Sequence, residues 1–234
     1  LMGQVPYYLT TAARLPGARF VVPTGNFGDA FAGWIARAMG APVRTITAAV
    51  NRNDALERAF ATGLYDRRPA APSHSVSMDV QAPSNFERLV FEATGRDGAA
   101  TASVFETFAR DGAVRLSPPL LEALRREVSV GSADEAATVA EMARLHAETG
   151  IEVCPHTAVG LSVARRLPPS DAPTVVLATA HPAKCEPAAQ AALGRAPAPL
   201  ERLTPREGAV ERFEILDADG AAALARVQAF AASA

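Results

Sequence analysis

Lysine is almost absent from this 234-residue chain: of its 23 basic residues, 22 are arginines and Lys184 is the single lysine. Chemistry that needs a lysine amine must therefore use Lys184 or a residue outside these 234. Cysteine is also scarce, and two residues, Cys154 and Cys185, exclude the dense disulfide framework of a small secreted domain. We therefore predict a reducing, cytoplasmic location.

An excess charge and long apolar runs are missing as well. The 23 basic residues nearly balance 25 acidic ones, and the net charge of −2 provides no basic field for nucleic acid. No apolar run approaches the roughly 18 residues that a membrane span requires. The first residues also lack the charged and then apolar layout of a signal peptide. We expect no nucleic-acid partner and no membrane partner.

What the chain does contain is an ordinary globular composition, with 49% hydrophobic and 21% charged residues. This composition argues against disorder, and the length fits one large domain or two small ones. A chain of this size buries roughly 70% of its unfolded surface, so its core needs no metal or disulfide to be stable.

The first quarter of the chain alternates strand and helix signals. Residues 19–25 form a β-branched and aromatic run that ends at a glycine, and residues 29–39 place apolar side chains at helical spacing. Residues 43–50 predict a second strand and residues 51–61 a second helix. This order predicts an α/β fold with a parallel sheet and helical crossovers.

The remaining signals are shorter. Residues 132–135, Ser-Ala-Asp-Glu, read as a capping box that opens a helix ending at Thr149. A proline- and alanine-rich linker and a tail helix that packs against the rest are predicted over residues 195–234. Further strands are predicted at residues 76–78, 151–153 and 173–179, and further helices at residues 85–94, from 117, at 157–167 and at 182–193.

The loop between the first strand and the first helix is a candidate anion site. Gly25 and Gly28 let the backbone turn tightly and point consecutive N–H groups into one concavity. The following helix adds its positive dipole end, so Gly25, Asn26, Phe27, Gly28 and Asp29 are candidate phosphate ligands. The loop is neither Gly-x-Gly-x-x-Gly nor a Walker loop. The alternative is a simple turn in which Asp29 stabilises the first helical turn.

Thr179 follows another predicted strand and precedes another predicted helix. Ligands of open α/β sheets gather at the carboxyl ends of strands, so Thr179 and the glycine loop are expected to face one crevice. Its hydroxyl could hydrogen-bond a ring nitrogen. The alternative is that Thr179 caps a helix and His181 is an incidental surface residue.

Two cysteines and two histidines raise the question of zinc. Cys154, His156, His181 and Cys185 are the right residue types, but the Cys-x-His spacing is poor for a tetrahedral site and the pairs lie far apart. We predict no metal site and interpret the cysteines as packing residues.

A polar segment at residues 83–89, Pro-Ser-Asn-Phe-Glu-Arg-Leu, indicates only a turn in which Ser84 or Asn85 caps a helix.

Several of these stretches, in this order, resemble threonine synthase of the long bacterial and fungal type, a member of the fold-type II pyridoxal-phosphate enzymes. The matching stretches are residues 22–29 with Ala32 and Gly33, 51–54, 77–79, 83–89, 155–160 and 178–184. The resemblance fades beyond Gly194. It implies a three-layer, tryptophan synthase β-like fold, with a mostly parallel sheet and helices on both faces, that is incomplete at the N-terminus. Residues 1–194 would be the C-terminal part of the catalytic domain, with a less regular, family-specific segment over about 66–130.

The resemblance implies a specific chemistry. The loop of Gly25, Asn26, Phe27, Gly28 and Asp29 would bind the phosphate of pyridoxal phosphate. The Thr179 hydroxyl would hydrogen-bond the pyridine nitrogen. The family converts O-phospho-L-homoserine and water to L-threonine and phosphate, using the cofactor as an electron sink. Roles for His156, His181 and Lys184 do not follow from it.

One departure from the family is serious. The family's Schiff-base lysine lies in an N-terminal half that this sequence does not match, and Lys184 belongs to a separate Ala-His-Pro-Ala-Lys motif. We therefore expect no catalytic residue in this chain, a Schiff-base lysine upstream of Leu1, and the missing N-terminal half as a partner. The chain alone is expected to be inactive.

Two alternatives stay open at this point. One is another fold-type II enzyme that carries out β-replacement on serine derivatives. The other is a non-catalytic module that binds phosphate or a partner.

Overall fold

The structure is a computed structural model that describes residues 1–200, 210 and 213–232, in two compact units, Leu1–Ala198 and Pro199–Ala234. The strands of the first unit are β1 (Ala18–Pro23), β2 (Val43–Val50), β3 (Leu64–Asp66), β4 (Ala113–Arg115), β5 (Ser129–Ser132) and β6 (Thr174–Val176).

Helices fill most of the remaining chain. Those of the first unit are α1 (Val5–Arg14), α2 (Gly28–Ala38), α3 (Ala55–Thr62), α4 (Phe86–Ala93), α5 (Gly98–Asp111), α6 (Pro118–Glu127), α7 (Glu135–Thr149), α8 (Pro155–Ala164) and α9 (Glu186–Leu193). Single turns of 3-10 helix lie at Met2–Gln4, Val76–Met78 and Pro182–Lys184. The second unit contains α10 (Gly220–Ala232). Within the described ranges, no helix combines the length and the apolar character that crossing a bilayer requires.

Four strands form a parallel sheet in the order β5-β2-β1-β6. In the centre of the sheet, Val21 of β1 lies opposite Thr47 on one side and Val176 on the other. Strands β3 and β4 form a separate antiparallel pair. The carboxyl ends of β1, β2 and β6 therefore lie along one edge of the parallel sheet.

Successive side chains of the central strands point to opposite faces, and helices cover both faces. Phe20 and Val22 of β1 join a core that includes Phe31 of α2. Val21, between them, packs instead with Val159 of α8. This alternation is what a strand buried on both sides requires. The predicted α/β architecture, with a mostly parallel sheet and helices on both faces, is confirmed.

Three local predictions are wrong. Residues Val76–Met78 form a turn of 3-10 helix instead of a strand, and residues 151–153 form no strand, with Ile151 58% exposed. Ser132 does not cap α7, because it lies in β5. Asp134 is the cap, and its carboxylate accepts a hydrogen bond from Ala137 N at 2.8 Å. Asp134 has the same capping chemistry as serine and lies one residue before the helix, whereas Ser132 lies three residues before it.

The irregular middle segment is more ordered than the sequence indicates. Helix α5 and the β3–β4 pair lie within it and were not predicted individually. Helix α5 has ordinary boundary signals, since the Asp97 side chain accepts from Ala100 N and Gly112 ends the helix with φ of 71°. Helix α10 lies where the tail helix was predicted, while residues 201–209 of the predicted linker lie outside the described residues. The packing of that helix and the domain boundary at 194 stay predictions.

Candidate functional site

The loop that leaves β1 is fixed at both of its ends. Thr24 N donates to Ala49 O of β2 at 2.7 Å, which extends the sheet by one residue. Phe27 then adopts the left-handed conformation, with φ of 64°, immediately before α2. A bulky residue rarely tolerates this conformation, and its buried ring packs edge-on against Phe86 at 5.8 Å. The ring contact thus holds an unusual turn in place.

This turn leaves a row of backbone donors without partners. The N–H groups of Gly25, Asn26 and Phe27 form no hydrogen bond with any other residue that the structure describes. Helix α2 begins at Gly28, its cap residue Phe27 provides no side-chain acceptor, and its first amides have no intrahelical partner. Free amides next to a helix N-terminus form an anion site.

Asn85 fixes the orientation of this loop from 59 residues away. Both its backbone N and its Nδ2 donate to Asn26 O, at 3.1 and 3.0 Å. Because the C=O and N–H groups of a trans peptide point in opposite directions, this contact directs the Phe27 N–H away from Asn85. The prediction that Ser84 or Asn85 caps α4 is wrong in its chemistry. Asn85 occupies the cap position, but its side chain bonds the loop and the Arg88 side chain, and it accepts no hydrogen bond from a backbone N–H of the helix.

We expect Asn85→Ala to weaken the binding of inorganic phosphate to the loop by about tenfold. One hydrogen bond that orients a charge-binding amide is worth roughly 1.4 kcal/mol. Titration calorimetry with phosphate measures the change, and Ser84→Ala is the matched control because Ser84 is an exposed neighbour. Equal affinities for wild type and Asn85→Ala would contradict this role of Asn85.

The Val76–Met78 turn lies directly against the loop. A Cβ atom added at Gly25 would lie 2.4 Å from the backbone oxygen of Ser77, a distance that no real contact allows. Gly25 is therefore required by the close approach of another backbone, and not by its own φ. Ser77 and the loop form adjacent walls of one cavity.

A buried polar network holds that turn. The Asp79 carboxylate accepts from Asn51 Nδ2 at 2.8 Å, from Asn53 Nδ2 at 3.0 Å, and from Ser73 Oγ at 2.5 Å. The backbone N of Ser73 also donates to it at 3.0 Å. Asn51 and Asn53 are fully buried, so these bonds satisfy groups that water cannot reach. Both segments belong to the stretches that resemble the family, but their contact was not predicted from the sequence.

One cavity of about 280 Å³ joins the two predicted ligand sites. It is lined by Gln4, Pro23, Thr24, Gly25, Asn26, Phe27, Gly28, Asp29, Ser77 and Thr179. The structure therefore brings all six predicted cofactor-binding residues to the same cavity. Its volume is close to the lower end, roughly 300 Å³, of known small-molecule sites.

Thr179 lies just beyond β6, which ends at Val176 and is shorter than predicted. Its backbone N donates to Thr157 Oγ1 at 3.3 Å, and its hydroxyl lies 3.6 Å from Cys154 Sγ. Thr179 does not cap a helix. His181 has that role, because its Nδ1 accepts from Ala183 N at 3.1 Å. The Thr179 side chain is exposed, so it can contact a ligand in the cavity.

Asp29 is the single charged side chain among the described residues that line the cavity. Its carboxylate accepts hydrogen bonds from the phenols of Tyr7 and of Tyr8, the latter at 3.0 Å. Burial raises the pKa of Asp29, while the two phenols act in the opposite direction. The two phenols belong to α1 and hold the Asp29 carboxylate against that helix. The groups left to bind an anion in the cavity are the neutral backbone amides and the N-terminal dipole of α2.

The other candidate residues are not among those that line this cavity. Lys184 is exposed and does not line it. Both cysteines are free, and within the described ranges no three potential ligands come close enough to hold a metal ion. A larger cavity of about 590 Å³, lined by Phe31, Arg88 and Thr101 among others, lies elsewhere. We assign the site by convergent polar groups rather than by size.

Comparison with known proteins finds relatives whose sequences match most of this chain. A family model described as "Threonine synthase, C-terminal" matches residues 157–230. The chain is 38% identical to the threonine synthase of Pseudomonas aeruginosa over 98% of this chain and 50% of that protein. It is 39% identical to the threonine synthase of Corynebacterium glutamicum over 86% of this chain and 44% of that protein.

The solved structures agree with the sequences. The crystal structure of a threonine synthase with bound pyridoxal phosphate, from Brucella melitensis, matches with a TM-score of 0.83 and 43% identity. The match covers 86% of this chain and 44% of that chain. The chain resembles the C-terminal portion of threonine synthases. It spans about half the length of the curated threonine synthases that it matches. The fold expected from the family resemblance is confirmed.

Proposed function

We propose that this chain provides the phosphate-binding loop and the ring-nitrogen contact of a threonine synthase that uses pyridoxal phosphate. The reaction would convert O-phospho-L-homoserine and water to L-threonine and phosphate. The cytoplasmic location predicted from the two free cysteines is part of the same proposal.

One observation carries this proposal: a single cavity is lined both by the loop of free amides and by the Thr179 hydroxyl. A phosphate ester on an aromatic ring needs an anion site at one end and a hydrogen-bonding group for the ring at the other. The amides of Gly25, Asn26 and Phe27 fit the first need. The neutral hydroxyl of Thr179 fits the second.

When bound, pyridoxal phosphate would supply an electron sink for charge that develops on substrate carbon atoms. The chain's own residues would bind and orient. The loop amides and the N-terminus of α2 would hold the phosphate, and Phe27 and Asn85 would fix the direction of those amides. Thr179 would hydrogen-bond the ring nitrogen. Gly25 would leave room for the Ser77 backbone that closes one wall of the cavity.

The residue that binds the cofactor covalently is proposed to lie outside these 234 residues. Lys184 is exposed, is followed by a cysteine at the start of α9, and is not among the residues that line the cavity. We propose that the covalent lysine belongs to the half of the relatives' length that has no counterpart here. That half would be the partner that completes the site.

Titration of the full chain with pyridoxal phosphate, followed by borohydride reduction and peptide mapping, tests the proposal. We expect reversible binding that inorganic phosphate competes for, with no stoichiometric adduct on Lys184 and no turnover of phosphohomoserine. Thr179→Val should weaken binding by about fivefold, because one neutral hydrogen bond is lost. Thr62→Val, at an exposed threonine on α3, is the control.

Two results would overturn the proposal. Absence of any phosphate-competed binding would remove the anion site. A stoichiometric adduct on Lys184 with turnover would show that the chain contains its own covalent lysine.

A further inference from the structure

The sulfur of Cys154 lies beneath the threonine that lines the cavity. Cys154 is fully buried immediately before α8, and its Sγ lies 3.6 Å from Thr179 Oγ1 and 3.3 Å from Thr157 Oγ1. Thr157 N donates to the same sulfur at 3.5 Å, and Thr157 Oγ1 accepts from Thr179 N at 3.3 Å. Thr179 is therefore held by its backbone and by its side chain to one buried pair.

The surroundings of this sulfur favour a negative charge. The sulfur lies at the N-terminus of α8, where free amides and the helix dipole stabilise anions. Burial raises the pKa of Cys154, but the neighbouring His156, both donors of Thr157 and the Thr179 hydroxyl together lower it to about 6. The buried His156 nitrogens form no hydrogen bond with a described residue.

Few other titratable groups act on this sulfur. Besides His156 on α8, Cys185 at the start of α9 interacts with it electrostatically. Burial and the charge of Cys154 raise the pKa of Cys185, and Lys184 lowers it. Around these groups, α7, α8 and α9 pack through the apolar side chains of Met142, Ala158 and Ala188.

We propose that Cys154 is a positioning residue that fixes the Thr179 hydroxyl and sets the direction in which that hydroxyl donates its proton. A thiolate can only accept, so it takes the Thr179 O–H and leaves the oxygen lone pairs facing the cavity. A neutral thiol can itself donate to Thr179, which frees the O–H to donate into the cavity. The ligand group that would respond to the changed direction of the hydroxyl is a heteroaromatic ring nitrogen. The identity of this ligand group rests on the proposed function.

The charge on the Cys154 sulfur, and with it the direction of the Thr179 hydrogen bond, changes with pH. The pKa of Cys154 in the folded protein, about 6, lies below the ordinary value of roughly 8.5 for a free thiol. The stabilisation from the charged sulfur is therefore complete above the ordinary value and is lost as the pH falls through 6. The Thr179 hydroxyl is expected to donate to sulfur at neutral pH and into the cavity in acid.

Thiolate absorbance of the full chain, titrated in a Cys185→Ser background, tests the contact without any ligand. We expect Thr179→Val to raise the pKa of Cys154 by about one unit, because a hydrogen bond to a charged group is lost. Thr179→Ser keeps the hydroxyl and should restore the wild-type titration. Thr62→Val should have no effect. An unchanged titration in Thr179→Val would overturn the proposal, and a folded Thr179→Ser protein excludes general unfolding as the cause.

A second measurement links the sulfur to the ligand. The phosphate of the ligand itself titrates at about pH 6 and contributes a step to every variant. We expect the pH profile of the affinity for pyridoxal phosphate to differ between wild type and Cys154→Ala below neutral pH, beyond that shared step. Identical profiles would overturn the proposal. If pyridoxal phosphate does not bind at all, the proposed function fails, whereas the thiolate titration still decides whether Cys154 and Thr179 are coupled.

Discussion

Gly25→Ala is expected to reduce the affinity for pyridoxal phosphate by about 100-fold. The added Cβ would lie 2.4 Å from the Ser77 backbone oxygen, so either the loop or the 3-10 turn must move. Backbone atoms cannot rotate away as a flexible side chain can. A shift of the loop would misdirect at least two charge-assisted hydrogen bonds, each worth roughly 1.4 kcal/mol or more.

Gly98→Ala is the matched control for this substitution. It also introduces one methyl group, but nothing lies within 4 Å of the new Cβ. Both variants should be compared by titration calorimetry with pyridoxal phosphate and with inorganic phosphate. Gly25→Ala should bind both ligands more weakly than wild type, because the substitution displaces the amides of the anion site. Retention of wild-type affinity in Gly25→Ala would mean that these amides do not bind the phosphate.

Asp79→Ala is expected to lower the free energy of unfolding by about 3 kcal/mol. The carboxylate satisfies two fully buried amides, those of Asn51 and Asn53, as well as two donors of Ser73. Removing a buried acceptor leaves each donor with a desolvation cost of roughly 1–3 kcal/mol. The remaining acceptors around Asn51 and Asn53 offset part of this cost.

A conservative variant separates the acceptor from the charge. Asp79→Asn keeps one oxygen but places an N–H₂ group against one of the donors, so an intermediate loss is expected. Asp171→Ala, at an exposed position, should change stability little. Urea denaturation measures all three variants. Equal stabilities for Asp79→Ala and Asp171→Ala would show that the network does not hold the turn.

The loop between β1 and α2 was predictable from sequence because its information is local. A β-branched run, two glycines and a helical spacing follow one another within residues 19–39, and each has a direct physical meaning. The match to β2 is equally close, since its second half, Ile-Thr-Ala-Ala-Val, is buried and mostly apolar, as a parallel strand covered on both faces requires. The expectation that Thr179 and the loop share a crevice followed from parallel topology, which places strand ends together.

The parts that sequence reasoning missed depend on partners that are distant in the chain. Asparagine is a common helix-capping residue, and only the folded structure shows that the side-chain amide of Asn85 instead donates to the backbone oxygen of Asn26. Asp79 and Cys154 likewise acquire their surroundings from segments about 25 residues away. A polar side chain that becomes buried needs a hydrogen-bond partner, but its residue type does not indicate which residue that partner is. The false strand at residues 151–153 has a different cause, because a three-residue alternation such as Ile-Glu-Val is too short to distinguish a strand from a loop.

The most direct test of the account is an amide NMR titration of the full chain with pyridoxal phosphate. We predict that the N–H signals of Gly25, Asn26 and Phe27 and that of Thr179 shift together, with one shared affinity. Inorganic phosphate should shift the three loop signals and leave Thr179 unchanged. Loop signals that stay fixed while pyridoxal phosphate binds, or shifts at Thr179 with a separate affinity, would contradict the single-site account.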